Sequence, residues 1–435
     1  MLGCGHQQNE NTRRGSARVA APNPASNVYF KIARLKLSSA KSHSAEPLNS
    51  HSNPHPRWGA PPWHIDFAVR NKPVPPSVDF AIVGGGFTGL AAAAWLRRLA
   101  PEKSVAVFEA DRIGAGASGR TGGMALAESA AGDLPGLGNV LGGLERILAE
   151  LDIDCDLSLP GAFEIGRGKA LKDSAIQWND SGTLRVVKKV PGGMLDPGKL
   201  IAGLARVADE RGATIIESHP VTQIEWQQGP VVHTVARAGA PVVVHAGGSQ
   251  CSAGKILFAT NAMALELTAL AGRAEPKLTL AVLTEPMEEK RLEAIGLAGG
   301  NPFYTVDLPY LWGRCRRDGS VVFGAGLVDA DDSRDLRQID ITAGGARNLF
   351  ESIERRIHNL HPELREIQIT HRWGGPILFR ENWCPVFMPH PQSKNAIVLG
   401  AYAGHGVALS VYLGAWAAEA LLARRKLPSW GSIRK

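Results

Sequence analysis

DFAIVGGGFTGLAAAAWLRRLAPEKSVAVFEA, residues Asp79–Ala110, is the stretch whose reading decides the fold. Ala81-Ile82-Val83 is apolar and β-branched and runs into Gly84-Gly85-Gly86, the pattern of a buried strand ending in a tight turn. From Thr88 to Leu99 there is no proline, and Gly89 is the one weak helix former; Pro101 lies just beyond, so this part reads as helix. Val105–Phe108 reads as a second buried strand. Strand, helix and strand in this order predict a right-handed crossover with the two strands parallel and adjacent.

Gly84-x-Gly86-x-x-Gly89 has the spacing of a dinucleotide fingerprint. Gly84 permits the turn, Gly86 lets the backbone approach a pyrophosphate, and Gly89 lets the helix lie close to the strand. Phe87 and Thr88 open the helix, whose first N–H groups and partial positive charge favour phosphate. Glu109, followed by Ala110, ends the second strand twenty positions after Gly89, where a carboxylate accepts from ribose hydroxyls and repels a phosphorylated ribose. A plain glycine-rich turn carries the same glycines, but here strand, helix, second strand and acid are all in place. FAD and NAD share this half-site, so the cofactor is decided elsewhere.

With 435 residues the chain has room for two or three domains, and 44% apolar with 20% charged residues is a globular composition. The net charge of +7 is concentrated: residues 1–60 hold eight of the 48 Lys/Arg and two of the 41 Asp/Glu. The remainder is nearly neutral, which gives no footprint for nucleic acid. Residues 1–62 are rich in Ser, Asn, His and Pro and read as a disordered basic extension with some transit-peptide character; only Val28 to Leu37 has the makings of a short element. Five scattered cysteines form no Cys-x-x-Cys and no cluster with His, so neither a metal site nor a disulfide framework is expected, and a reducing, cytoplasmic setting follows. The longest apolar run, Leu409 to Ala423, is short for a membrane span and contains Glu419.

Two later glycine clusters extend the argument. Asp111 to Ala125, DRIGAGASGRTGGMA, follows the acid too closely for an NAD domain and suits a longer ligand. Its Ala117, Ser118, Gly119, Arg120, Thr121, Gly122 and Gly123 are candidate cofactor contacts, the small ones leaving room for a flat ring. Asn395 to Ala423 reads as strand, glycine loop and helix, with Gly404, His405, Gly406 and Val407 where strand feeds helix. That N-terminus is a second site for negative charge, such as the N1–C2=O edge of a reduced flavin, although an ordinary strand-to-helix turn reads the same way.

The blocks together resemble the D-amino-acid oxidase-like superfamily of FAD-dependent oxidoreductases, in the branch that contains gamma-glutamylputrescine oxidase. VDFAIVGGGFTGLAAA, GASGRTGG, IDCDL at Ile153–Leu157, ILFATNA at Ile256–Ala262, WGG at Trp373–Gly375 and GAYAGHGV fall in the expected order, from about Trp63 to the C-terminus. The resemblance implies an α/β fold: a Rossmann-like FAD-binding domain of the GR2 type, with an inserted α+β substrate domain built on an antiparallel sheet. It assigns 63–160, 195–275 and 370–435 to the first and 161–194 and 276–369 to the second. It also places Val221 beside the adenine through its backbone, and Ala259 and Thr260 on the strand returning to FAD.

Between these blocks, Asp196 is placed to cap a helix from Pro197 to before Gly212. Short strands follow at Thr214–Glu217, Val221–Trp226, Val231–Val235 and Val242–His245, then Ile256–Ala259. Gly161–Arg167, Thr183–Val190 and Lys277 to about Val328 are strand-like and, by the resemblance, roof the flavin. Pro309–Gly326 reads as a hairpin turning at Asp318-Gly319. Its Arg314 aligns with an arginine usual in the branch, a candidate clamp for a substrate carboxylate, with a solvated charge beside Arg316 and Arg317 as the plainer reading. Tyr304, Tyr310 and Trp312 are candidates for an aromatic amine pocket, with core packing as the alternative. His405 is placed near the flavin ring, with a structural histidine as competitor.

Three features depart from the pattern. The segment between Cys155 and Met194 is short, so part of the roof is expected to be missing or rebuilt. Asn382-Trp383-Cys384-Pro385 replaces an Asp-x-x-Pro, and Ser320–Phe323 lacks the lysine that some related sarcosine oxidases use toward oxygen. Cys315 and Cys384 lie in no recognisable attachment context, so the FAD is expected to be non-covalent. The expected activity is oxidation of the C–N bond of an amine or amino acid by hydride transfer to flavin N5, followed by imine hydrolysis, with O2 or another acceptor taking the electrons. Arg314, Tyr310 and His405 are the expected catalytic-site side chains. An NAD-dependent dehydrogenase and a catalytically degenerate flavoprotein are the competing readings.

Overall fold

Ser77–Val83 is the central strand of a sheet whose parallel core runs in the order Thr214–Ile216, Val105–Phe108, Ser77–Val83, Ser249–Phe258 and Ser393–Gly400. Val386–His390 closes one edge antiparallel to Ser393–Gly400, and Val221–Trp226 and Val242–Ala246 form an antiparallel extension on Ser249–Phe258. This is a computed structural model, and it describes residues 57–70, 72–172, 174–226, 242–246, 248–329 and 335–433. The expected extension up to residue 56 and the expected strand Val231–Val235 lie outside the described residues.

Side-chain alternation decides what each face of the sheet meets. Phe80, Ile82, Val105, Val107 and Leu257 point to one side, where they share a core with the helices Phe87–Leu99, Val140–Leu151, Pro197–Glu210 and Gly406–Leu421. Ala81, Val83, Ala106, Phe108, Ile256 and Phe258 point to the other side, into the core of the second sheet. Ala91–Ala94 are all fully buried, which places helix Phe87–Leu99 in the middle of its layer. The apolar run Leu409 to Ala423 falls, up to Leu421, in its neighbour Gly406–Leu421, apolar all round because it is enclosed by protein. No helix among the described residues is long and apolar enough to cross a membrane.

Many of the expected ends fall within a residue or two of the observed ones, but the strand expected at Ile256–Ala259 begins at Ser249, and the stretch Lys277 to Val328, read as strand-like, contains the helix Glu289–Ala294, whose Glu, Lys, Arg, Leu and Ala are good helix formers. The first helix starts at Phe87, and Asp196 caps the helix Pro197–Glu210 by accepting from the Lys199 N–H at 2.9 Å. The second sheet has eight strands in the order Ile369–Phe379, Glu275–Thr284, Val321–Asp329, Trp312–Cys315, Phe303–Thr305, Ala162–Gly166, Thr183–Val190 and Trp178–Asn179. The short segment between Cys155 and Met194 supplies three of these strands, so the sheet is continuous through it.

The two layers are tied by a segment that straddles the expected boundary at residue 62: residues 57–62 belong to the packed structure and not to the extension. Trp58 is 1% exposed, its indole donates to the Leu336 carbonyl, and its own carbonyl accepts from Gly374 N–H at 2.7 Å. Trp63 stacks edge-on against Trp373 and donates to the Gly119 carbonyl at 2.6 Å. Further along, Arg70 and Lys72 both pair with Asp209 on the helix Pro197–Glu210. Residues 57–70 and Lys72 thus form a strap across both layers.

Candidate cofactor and active site

The parallel strands diverge on either side of Ser77–Val83, and the loops at their C-terminal ends open the crevice where an α/β sheet takes its ligand. Gly84 has φ +112°, and a Cβ there would sit 2.7 Å from the Ala259 carbonyl oxygen, so the two strand ends meet backbone to backbone. A Cβ on Gly89 would overlap the Gly84 carbonyl. Glu109 is held at the rim: Oε2 accepts from Gly85 N–H at 2.7 Å and Oε1 from Asp111 N–H at 3.0 Å. Burial pushes its carboxyl up, and these amides pull against that. The Glu109 carbonyl accepts from His219 N–H, which brings Val221 to the same rim.

Helices Val140–Leu151 and Pro197–Glu210 carry side-chain caps from Asn139 and Asp196. Helices Phe87–Leu99 and Gly406–Leu421 have no side-chain cap hydrogen bond, although Ser118 Oγ accepts from Phe87 N–H at 2.9 Å. The helix starts are joined by Thr88 Oγ1 and Tyr402 OH, 2.7 Å apart and buried. Close by in sequence to these starts and strand ends, Thr260 Oγ1 and His405 Nδ1 are buried without a hydrogen-bond partner. Buried polar atoms of this kind mark a place where a polar group belongs.

His405 also carries a test. Burial lowers its imidazole to about 4 from 6.5, so it stays neutral in the folded FAD-free protein while the unfolded chain takes up the proton near 6.5. The His405 contribution to the stability of the FAD-free protein should therefore be lost as pH drops from about 6.5 toward 4. His405→Gln should flatten this part of the profile, read as the urea midpoint across a pH series. Parallel profiles for the two proteins would refute the assignment.

The second glycine loop meets the second sheet. Trp312 lies against Gly324 on its own sheet and against Gly122 on the loop, filling the space that a side chain at either glycine would take. Gly123, at φ +77°, lies under Leu195 and the Arg314 guanidinium. Arg314 is 6% exposed; its Nε donates to the Gly122 carbonyl, Nη1 approaches Met194 Sδ, and the guanidinium lies over the Trp63 ring. Burial lowers it to about 10. Arg316 and Arg317 turn outward to Asp318 and Asp156, so Arg314 alone of the three is inside.

Arg120 points away from the crevice. It donates to the carbonyls of Ala115, Gly59, Gly374 and Trp58 and covers the Trp58 ring, which fastens the strap to the glycine loop. The Thr121 hydroxyl turns back to Gly123 N–H. Tyr310 sits in the loop between Phe303–Thr305 and Trp312–Cys315, anchored by Arg356, which pairs with Asp180 and donates to the Tyr310 and Pro309 carbonyls. Tyr304, Tyr310 and Trp312 share one apolar cluster with Met124 and Leu126. Cys315 faces the opposite side of the sheet, in the core with Val321 and Phe303. Trp58, Trp63, Tyr402 and Glu164 were not anticipated. Tyr402 lay within GAYAGHGV, but no spacing rule says that its hydroxyl meets a threonine 314 positions away.

A parallel sheet with glycine-rich turns at its strand ends, faced by a second sheet that is mixed rather than purely antiparallel because Phe303–Thr305 runs parallel to Ala162–Gly166, defines a GR2-type flavin-binding protein. The chain belongs to the DAO family, FAD dependent oxidoreductase, which matches residues 79–420, and FAD is accordingly its cofactor. It is 27% identical over 403 residues to gamma-glutamylputrescine oxidoreductase of Escherichia coli strain K12, covering 82% of this chain and 86% of that one. Its fold is similar to that of glycine oxidase from Geobacillus kaustophilus, with TM-score 0.61, 19% identity, and 81% and 96% of the two chains covered. L-proline dehydrogenase from P. horikoshii gives TM-score 0.62 at 16% identity, covering 81% and 95%.

Proposed function

We propose that this chain oxidises the C–N bond of a small-molecule amine or amino acid. The observation that carries the reading is the pair of buried polar atoms without a hydrogen-bond partner, Thr260 Oγ1 and His405 Nδ1, just after the ends of the parallel strands Ser249–Phe258 and Ser393–Gly400. The names of similar proteins, gamma-glutamylputrescine oxidoreductase, glycine oxidase and L-proline dehydrogenase, support a nitrogen-bearing substrate.

Bound FAD supplies the two-electron acceptor for the C–H bond beside nitrogen, leaving an imine that water hydrolyses. The residues that would hold it are those of the rim. Glu109, kept in place by two backbone amides, would accept from a ribose; the start of helix Phe87–Leu99 would favour the pyrophosphate; Thr260 and the Gly404–Val407 turn would offer partners to polar edges of the ring system. Arg314 holds the Gly122 carbonyl and so sets the distance between glycine loop and roof. Tyr304, Tyr310 and Trp312 exclude water and orient an amine. An amine bound in its neutral form needs no side-chain base.

The purified protein should be yellow, with a flavin absorbance spectrum, and the flavin should come free on denaturation. Anaerobic addition of a substrate amine should bleach it. A colourless protein that takes up no added FAD would refute the reading, and a yellow protein bleached by no amine would make it a binding protein. On admission of air, prompt return of the colour would mark O2 as the acceptor.

A further inference from the structure

The roof carries an acid that the sequence reading passed over. In the second sheet, seven residues lie side by side in register: Trp373, Ala281, Gly324, Trp312, Tyr304, Glu164 and Lys188. The face they share is the one turned to the second glycine loop. Trp312 touches Gly122, the Trp373 indole donates to the Arg120 carbonyl, and Tyr304 shares a cluster with Met124 and Leu126. The flanking residues Phe163 and Ile165 pack into the opposite core, as alternation requires.

Glu164 is 7% exposed. A buried carboxylate is costly unless it is hydrogen-bonded or faces a cation. It accepts from Tyr304 OH at 2.9 Å, and its ion-pair partner is Lys188 at 3.7 Å, whose side chain is 62% exposed. A solvated lysine at that distance is a weak partner. The buried arginine of the roof, Arg314, is meanwhile committed to the Gly122 carbonyl and the Met194 sulfur. Glu164 is thus a buried negative charge on this row whose ion-pair partner, Lys188, is solvated.

We propose that Glu164 is a specificity-determining residue that receives a second cationic group of the substrate. The substrate class is then an elongated diamine-like dication, rather than an amino acid recognised through its carboxylate. This rests on the amine-oxidising reading above and deepens it. Glu164 lies two strands from Trp312, so the second charge sits roughly 10 Å along the roof from the ring over Gly122. Tyr304, between the two, lines the path of the connecting chain and holds the carboxylate in position.

The test uses the FAD-bound full chain, with diaminohexane, hexylamine and glycine as probes. Calorimetric titration under anaerobic conditions reads binding, and flavin bleaching reads turnover separately. Diaminohexane should bind well ahead of hexylamine and glycine. Glu164→Gln, which keeps an acceptor for Tyr304, should weaken diaminohexane about 30-fold or more and leave hexylamine within about two-fold. Lys188→Met, at an exposed position, should tighten diaminohexane by removing a competing charge. Equal binding of the diamine to wild type and Glu164→Gln, or preference for glycine, would overturn the proposal even if amines bleach the flavin. Selective diamine binding without bleaching by any amine would uphold the role of Glu164 and count against oxidation.

Discussion

Gly89→Val is expected to yield a protein that retains no FAD and unfolds at markedly lower temperature. Gly89 lies in the first helix, where that helix crosses the end of the central strand. Any Cβ there overlaps the Gly84 carbonyl and comes within 3.1 Å of Ile82 Cγ2. The first clash is with backbone, so no rotamer relieves it, and the helix must lift off the strand. Forcing extra atoms into a packed site costs about 1–3 kcal/mol and sometimes more, and a backbone obstacle places this case at the upper end. Lifting the helix also moves the Phe87 and Thr88 amides from the mouth of the crevice, so the stabilisation from bound cofactor is lost as well. The flavin-to-protein absorbance ratio and a thermal melt read the two effects. Gly345→Ala is the control, since a Cβ there meets open space. Normal flavin content in Gly89→Val would refute this account of the glycine.

Arg120→Met should cost about 3 kcal/mol or more, because hydrogen bonds from a charged donor are worth roughly 1.5–3 kcal/mol each and are not additive. Its guanidinium serves four carbonyls on the glycine loop, the strap and the strand Ile369–Phe379. Removing it leaves Gly59 and Ala115 without that donor and uncovers the Trp58 ring. Arg120→Lys should recover only part of the loss, since one ammonium cannot reach the same set of carbonyls. Urea unfolding followed by tryptophan fluorescence measures it, and a midpoint equal to wild type in Arg120→Met would show that the strap is held by its other contacts. The same variant should become more sensitive to proteolysis near residues 57–63, because Trp58 docks under this guanidinium and Trp63 is held by the carbonyl of the neighbouring Gly119.

How much of this was legible depends on how local each interaction is. The strand ends at Val83 and Phe108, the cap at Asp196 and the turn at Asp318-Gly319 are settled within a few residues, by periodicity, glycine and side-chain caps. They could be read directly, and so could the fingerprint at Gly84, Gly86 and Gly89. The Arg120 side chain could not be placed that way. Its motif put it among cofactor contacts, while its direction is set by carbonyls of residues 57–59 and 374, far off in the chain. Trp58 and Trp63 lie in or beside a stretch whose composition resembles that of a disordered tail, and only their partners Leu336, Trp373 and Gly119 reveal them as core. Glu164 reads from sequence as one acid in a short strand. Its meaning comes from sheet register, which lines it up with Tyr304 and Trp312 from another part of the chain.

By itself the sequence determined the cofactor half of this protein, because a crossover unit, its glycines and its acid are encoded within some thirty consecutive residues. Tertiary structure alone decided where these charges go: Arg314 is drawn to the glycine loop, Arg120 to the strap, and Glu164 is buried in the second sheet. The physical reason is that a side chain's direction and burial are set by whichever distant backbone and sheet neighbours it meets, and chain-local propensities carry no record of those neighbours.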